Sequence, residues 1–493
     1  MNLRFVSLIL GGVLIIESMM MVVCCLFSWF WERETSPESF PAWIASVLII
    51  LLFAIFFALV GRNADRENIF RREALAVVGL SWLLCGVFGA IPFILGPTHM
   101  PWWDAFFESF SGFTTTGSTV VQHLEKLPES YLLWRSLMQW MGGMGVVVLF
   151  VALLGFLGVG GKALFQGETS GLAEGDLKPR IQSLSLSYLI IYLSLTGVAA
   201  LGLLIFGMSF FDAVNHAMTA IATGGFSPKD TSIAYYESVF IQLWLVVIML
   251  AGGVAFPIHY KILVLKQIGV LRRNEETRIY FMVIGVAIIL VTSDLLVTRH
   301  YQWSQFGNAL MDSIFSVVSV GTTTGYVTAD FASWPPFAQV VLLLLMVMGG
   351  CAGSTSGGVK AARMIVFTKE IFHQLRLVYR PRLIQRIRLN GRILEDSLVS
   401  AVTFYFALYL MIFISGIVIL ALLEPKLEID STVSAVFACL NNIGPGLDQI
   451  GPTENFSFFN PASKMWLSLL MLLGRLELYA VLLLFVPGFW KKY

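Results

Sequence analysis

Charged side chains are scarce: Asp, Glu, Lys and Arg make up 13% of the 493 residues, against 57% apolar residues. So little polar surface cannot cover a water-soluble globule of this size, which excludes a soluble domain. The five cysteines (Cys24, Cys25, Cys85, Cys351 and Cys439) lie mostly in apolar runs without paired spacing, which excludes a disulfide framework. The six histidines (His99, His123, His216, His259, His300 and His373) show no spacing that would gather a metal. The GVGGKA segment at 158–163 fails as a phosphate loop, because Phe156 stands where the first glycine belongs and Ala163 follows the lysine. Without convergent acid, base or metal groups the chain is not expected to be an enzyme, and no cofactor is expected to be covalently bound. A net charge of +1 points to no nucleic acid. There is no low-complexity tract or disordered tail.

What the chain has in abundance is long apolar runs, and its mean hydropathy is +0.79. Ten runs are long enough to cross ~30 Å of hydrocarbon at about 1.5 Å per residue: 3–29, 42–60, 74–95, 132–157, 184–206, 240–265, 279–297, 340–367, 399–423 and 465–485. The first is too long for a cleaved signal and lacks a small-residue cleavage site, so it is retained as a span.

Between these runs one pattern recurs four times. The segments WDAFFESFSGFTTTGS, FDAVNHAMTAIATGG, MDSIFSVVSVGTTTGY and IDSTVSAVFACLNNIGPG each open near an aspartate and end in a polar tetrad. The leading acids are Asp104, Asp212, Asp312 and Asp430, and the aligned glycines are Gly117, Gly224, Gly325 and Gly444. A repeat that keeps its acid and its glycine while the rest drifts implies quasi-equivalent pieces around one axis. In a membrane that axis is most simply a pore.

Positive charge decides whether the tetrads cross. If the N-terminus is cytoplasmic and the tetrads re-enter without crossing, 24 of the 32 basic residues fall on the cytoplasmic side, including nine between Lys360 and Arg392. Were any tetrad a full span, later loops would invert and the asymmetry would collapse. The tetrads are therefore half-spans, both termini are expected in the cytoplasm, and Arg475 is left as the one basic residue placed inside a span.

Each repeat then reads outer helix, short helix, tetrad, inner helix. The aspartates Asp104, Asp212, Asp312 and Asp430 are expected as N-caps, their carboxylates accepting from the first-turn N–H groups. A helix of roughly 10 residues covers ~15 Å, so its partly negative C-terminal end lies near mid-membrane. The turn back is tolerable only where it lines a cavity. Four glycine-relieved strips of main-chain carbonyls there could replace a cation's hydration shell. The expected ligands are the backbone oxygens of Thr115, Thr116 and Gly117; Ala222, Thr223 and Gly224; Thr323, Thr324 and Gly325; and Asn442, Ile443 and Gly444. Each inner run carries glycine 24 to 30 residues further on: Gly142 and Gly143, Gly252 and Gly253, Gly349 and Gly350, and Gly474.

The fourfold plan with one glycine per tetrad resembles the Trk/Ktr/HKT superfamily of potassium uptake proteins, over residues 104–485. The extra N-terminal spans 3–29 and 42–60 make the chain similar to the Trk-type membrane subunit. The resemblance implies an all-α polytopic membrane protein with four pseudo-fourfold helix, pore loop, helix repeats around a central pore, plus two extra N-terminal transmembrane helices. The expected division is 1–70 for those helices, then repeats at 71–180, 181–275, 276–392 and 393–493.

Glycine at Gly117, where sodium-permeable relatives often carry serine, points to potassium. NNIGPG departs from the pattern and implies a less symmetric filter. The run from Gly349 to Gly358 holds five glycines in ten residues, too many for ordinary helix. The resemblance implies that this loop, with Gly349, Gly350, Gly353, Ser354, Gly357 and Gly358, gates the pore, and that Arg475 places a charge below the filter.

The resemblance also implies a homodimer in the bacterial cytoplasmic (inner) membrane, in contact with lipid. A ring of cytosolic, nucleotide-binding, TrkA-like regulatory subunits would sense NAD(H) or ATP/ADP, since no regulatory domain is expected in the chain itself. Segments 360–392 and 162–180 are the expected docking surfaces. The competing reading is a secondary, cation-coupled solute transporter, whose folds usually show two repeats rather than four.

Overall fold

The computed structural model describes residues 1–65, 71–156, 177–382 and 386–491. Two apolar helices, α1 (Leu3–Trp31) and α2 (Ser39–Val60), form an N-terminal hairpin. The Asn2 side chain caps α1 by accepting from the Phe5 N–H. The helices approach closely at Gly11, where a Cβ would lie 2.9 Å from the Ala54 carbonyl oxygen.

Four helix triads follow. Outer helices α3 (Arg71–Gly89), α6 (Leu177–Ile205), α10 (Glu275–Val297) and α14 (Asp396–Leu423) lead into short helices α4 (Trp102–Phe113), α7 (Phe210–Ile221), α11 (Phe306–Gly321) and α15 (Ile429–Leu440). The inner elements begin with α5 (Glu129–Phe156), α8 (Val239–Gly253), α12 (Pro336–Met348) and α16 (Pro461–Arg475). Short helices of 12 residues span about 18 Å, little more than half the hydrocarbon thickness.

Three of the ten expected spans are not continuous. The run 240–265 breaks after Gly253 into α8 and α9 (Phe256–Leu263), bent by 105°; Pro257 removes a helix N–H there. The run 465–485 ends its helix at Arg475, passes through positive φ at Glu477 and Leu478, and resumes at α17 (Tyr479–Leu482). The run 340–367 stops at Met348, because Gly349 takes a φ of 62°, and helix returns only as α13 (Ala361–Tyr379). The segment expected as a cytoplasmic loop is therefore helical for its first half, then forms a small hairpin, β1 (Arg388–Leu389) with β2 (Arg392–Ile393).

One large core cluster joins repeats 2 and 3, through residues such as Ala217, Leu245, Ile284 and Phe315. A second joins repeats 1 and 4 through Phe107, Ala435, Leu467 and Leu470. The outer helices leave apolar side chains outward, as at Phe404, Leu410, Ile414 and Val418 of α14. That suits a hydrocarbon surround and no aqueous one.

Candidate functional site

Each short helix ends in the same way. Thr115, Thr223, Thr323 and Asn442 adopt φ of 53°, 52°, 57° and 54°. The next amides, of Thr116, Gly224, Thr324 and Ile443, donate back to the carbonyls of Ser111, Thr219, Ser319 and Ala438 at 2.9, 2.8, 2.8 and 3.0 Å. A second left-handed residue follows at Gly117, Gly225, Gly325 and Gly444.

This register corrects the expected second strip. Its members are Thr223, Gly224 and Gly225, while Ala222 ends the helix as Thr114, Thr322 and Asn441 do. Two adjacent glycines in the sequence conceal which of them carries the positive φ.

The strips interlock as a ring. A Cβ on Gly117 would lie 2.3 Å from the Gly224 oxygen, one on Gly225 1.9 Å from the Thr324 oxygen, and one on Gly325 1.9 Å from the Ile443 oxygen. One on Gly444 would lie 2.9 Å from the Thr116 oxygen, which closes the circuit. Only glycine fits such positions, by backbone angle and by space. All four glycines line an open cavity of ≈ 110 Å³ together with post-tetrad residues such as Ser118, Ser227 and Val327.

The aspartates are not N-caps. The helices start earlier than they do, with Pro101, Ser209, Gln305 and Glu428 in the cap positions. Asp104, Asp212 and Asp430 sit in first turns, where their charge still suits the dipole. Asp312 is well inside α11, since a turn at Trp303–Gln305 leads directly into that helix. Three of the carboxylates hold neighbours instead: Asp104 pairs with Lys464 of α16 at 2.5 Å, Asp212 with Lys229 at 3.8 Å, and Asp312 accepts from the Tyr301 hydroxyl at 2.7 Å.

On the opposite side of the ring the Gly349–Gly358 segment is non-helical and almost wholly buried. The Thr355 hydroxyl donates to the Ile221 carbonyl at 2.9 Å, at the end of short helix α7. The Gly357 amide donates to Thr323 Oγ1 at 2.7 Å. Arg475 donates to the Thr355 carbonyl at 2.6 Å and to the Gly142 carbonyl at 3.1 Å. Thr355 thus ties repeat 2 to repeat 4, which lie opposite each other in the ring, so the chain of bonds crosses the axis. A buried guanidinium held by carbonyls keeps a positive charge there.

The roles of five polar side chains escaped the sequence reading. Glu276, at the start of α10, accepts from the Ala352 N–H at 2.6 Å and the Ala362 N–H at 3.2 Å, holding both ends of the strap. Lys360 donates from its ammonium to the Ser356 carbonyl. Arg135 also lies inside a span, the run 132–157, so Arg475 is not alone; it pairs with buried Glu108 at 2.7 Å, and Glu108 accepts from the Val120 N–H at 3.0 Å. Gln139, one turn further along α5, reaches the Gly224 carbonyl at 2.6 Å. Polar residues four apart in an apolar run were the available signal for the α5 pair. Nothing in the sequence marks Glu276 apart from its neighbour Glu275.

A family model described as a cation transport protein, TrkH, matches residues 44–492. The Trk system potassium uptake protein TrkH of Escherichia coli (strain K12) is 37% identical over 430 residues, 87% of this chain and 88% of that protein. The protein of the same name from Vibrio parahaemolyticus is 34% identical over 496 residues, covering 100% of both. The crystal structure of the potassium transporter TrkH from Vibrio parahaemolyticus matches with a TM-score of 0.89 at 32% identity, over 100% of both chains. The resemblance read from the four tetrads is borne out, and the chain belongs to the TrkH family of cation transport proteins.

Proposed function

We propose that this protein admits potassium ions across the bacterial cytoplasmic membrane through the ring of tetrads. The backbone carbonyls of Thr115, Thr116 and Gly117, of Thr223, Gly224 and Gly225, of Thr323, Thr324 and Gly325, and of Asn442, Ile443 and Gly444 replace the ion's hydration shell. The observation that carries this reading is the closed circuit in which each tetrad glycine abuts the carbonyl of the next repeat. Potassium is the ion because the relatives are named for potassium uptake. The Gly349–Gly358 strap is the gate, and Arg475 repels cations from the path while it is shut.

By the same reading both termini are cytoplasmic, the outer helices face lipid, and two copies of the chain pair. A cytosolic, nucleotide-binding, TrkA-like subunit controls the strap. The basic residues Arg380, Arg382, Arg386 and Arg388 are exposed and suit docking of such a partner. The other expected docking segment, 162–180, lies almost wholly outside the described residues.

Growth of a potassium-uptake-deficient bacterium on low potassium tests substrate and filter together. The wild-type chain should restore growth, and Gly117→Ser should weaken it, since any Cβ there displaces the Gly224 carbonyl. A chain that reaches the membrane and restores no growth overturns the proposal.

A further inference from the structure

Arg135 and Gln139 sit one turn apart on α5 and are 1% and 0% exposed. Both face the filter strip of the next repeat. Gln139 Nε2 donates to the Gly224 carbonyl at 2.6 Å, and Oε1 accepts from the Phe226 N–H at 3.0 Å. Arg135 donates to the Ser227 carbonyl at 3.2 Å and stacks its guanidinium 3.9 Å from the centre of the Phe226 ring.

Repeats 2 and 4 have no such amide at the equivalent position. Gly142, Gly252 and Gly474 are equivalent, because a Cβ on each would meet the last short-helix carbonyl, of Phe113, Ile221 or Leu440, at 2.0, 3.0 and 2.0 Å. Three residues before each stands Gln139, Met249 or Met471. The filter strips differ in parallel. Where repeats 1, 3 and 4 carry Thr116, Thr324 and Ile443, the second strip has Gly224, and a Cβ on it would lie 2.3 Å from Gln139 Cδ. The glutamine therefore fills the room that the missing side chain leaves. Glycine is also the residue with most backbone freedom to lose, and a carboxamide that binds both the carbonyl and a nearby amide removes that freedom. The carbonyl keeps a second lone pair for a cation.

We infer that Gln139 is a positioning residue for ion selection, and that Gln139 with Gly224 forms one exchangeable unit for which methionine with threonine is the counterpart. This rests on the filter reading above. The test uses the full chain in liposomes, with potassium and sodium fluxes measured separately. Gln139→Met should lower the potassium-to-sodium flux ratio about fivefold, the worth of one buried hydrogen bond. Gln139→Leu, which keeps much of the shape but carries no donor for the Gly224 carbonyl, should do the same and serves if the methionine variant does not fold. Gly224→Thr alone should cut potassium flux at least about tenfold through the clash, and adding Gln139→Met should restore most of it, because contacting residues couple. An unchanged ratio in well-folded Gln139 variants, or a double variant no better than Gly224→Thr, overturns the inference. Gly117→Ser in the same assay separates the two levels. If it leaves the ratio unmoved, the filter reading falls; if it moves the ratio and the Gln139 variants do not, only the role of Gln139 falls.

Discussion

At the residue scale the site is built from main chain, and side chains act by fixing it. Thr115, Thr223, Thr323 and Asn442 share one left-handed backbone conformation although their side chains differ. The four aspartates show how a recurring residue type can be read for the wrong task. They keep their place in the repeat, yet the cap geometry goes to the residues before them, and Asp104 instead bridges to Lys464 in the fourth repeat. Arg475 is a buried charge held by main-chain carbonyls. Its guanidinium bridges the Thr355 and Gly142 carbonyls, a two-pronged contact that a lysine point charge does not reproduce. Arg475→Ala should raise resting potassium flux and change ion selectivity in liposomes; unchanged conductance and selectivity would remove its pore role.

At the element scale, the short helices and the strap were legible to different degrees. Charge asymmetry and a length near half the membrane mark the tetrads as re-entrant from sequence alone. Glycine density marked the strap as non-helical. Its fastening was not legible, because it depends on Glu276, more than seventy residues away in sequence. One carboxylate oxygen there satisfies two backbone amides at opposite ends of the strap. Glu276→Ala orphans both, at a cost of about 1–3 kcal/mol for each buried donor. The closed strap should loosen, and resting potassium flux should rise. Deleting residues from the Gly353–Ser356 stretch should raise it too. Normal membrane expression with flux unchanged in both variants would argue that the strap is no gate.

At the scale of the whole molecule, Glu275 and Glu276 join the basic β1–β2 hairpin to the strap through adjacent positions on α10. Glu275 pairs with Lys369 of α13 at 2.5 Å and accepts from the Asn390 N–H at 3.1 Å. A partner that moves the basic hairpin thus has a short mechanical route to the strap. Reversing the charge of Arg380, Arg382, Arg386 and Arg388 should abolish capture of the proposed cytosolic regulatory subunit in a pull-down, while the exposed positions leave folding intact. Undiminished capture would place the docking surface elsewhere.

The sequence by itself determined the membrane setting, the fourfold plan, the half-spans and the glycine strap. Each follows from local composition, from length against membrane thickness, or from a period that one chain displays along its own axis. Tertiary structure decided what depends on distant residues meeting: which of two adjacent glycines turns, as Gly225 does, and where the second and fourth inner helices break. It also decided that Arg475 closes on Thr355, and that Gln139 stands in the space Gly224 leaves. Periodicity records the path of a chain through the membrane. The pairing of a buried amide with a carbonyl 85 residues away is recorded only where the repeats close into a ring.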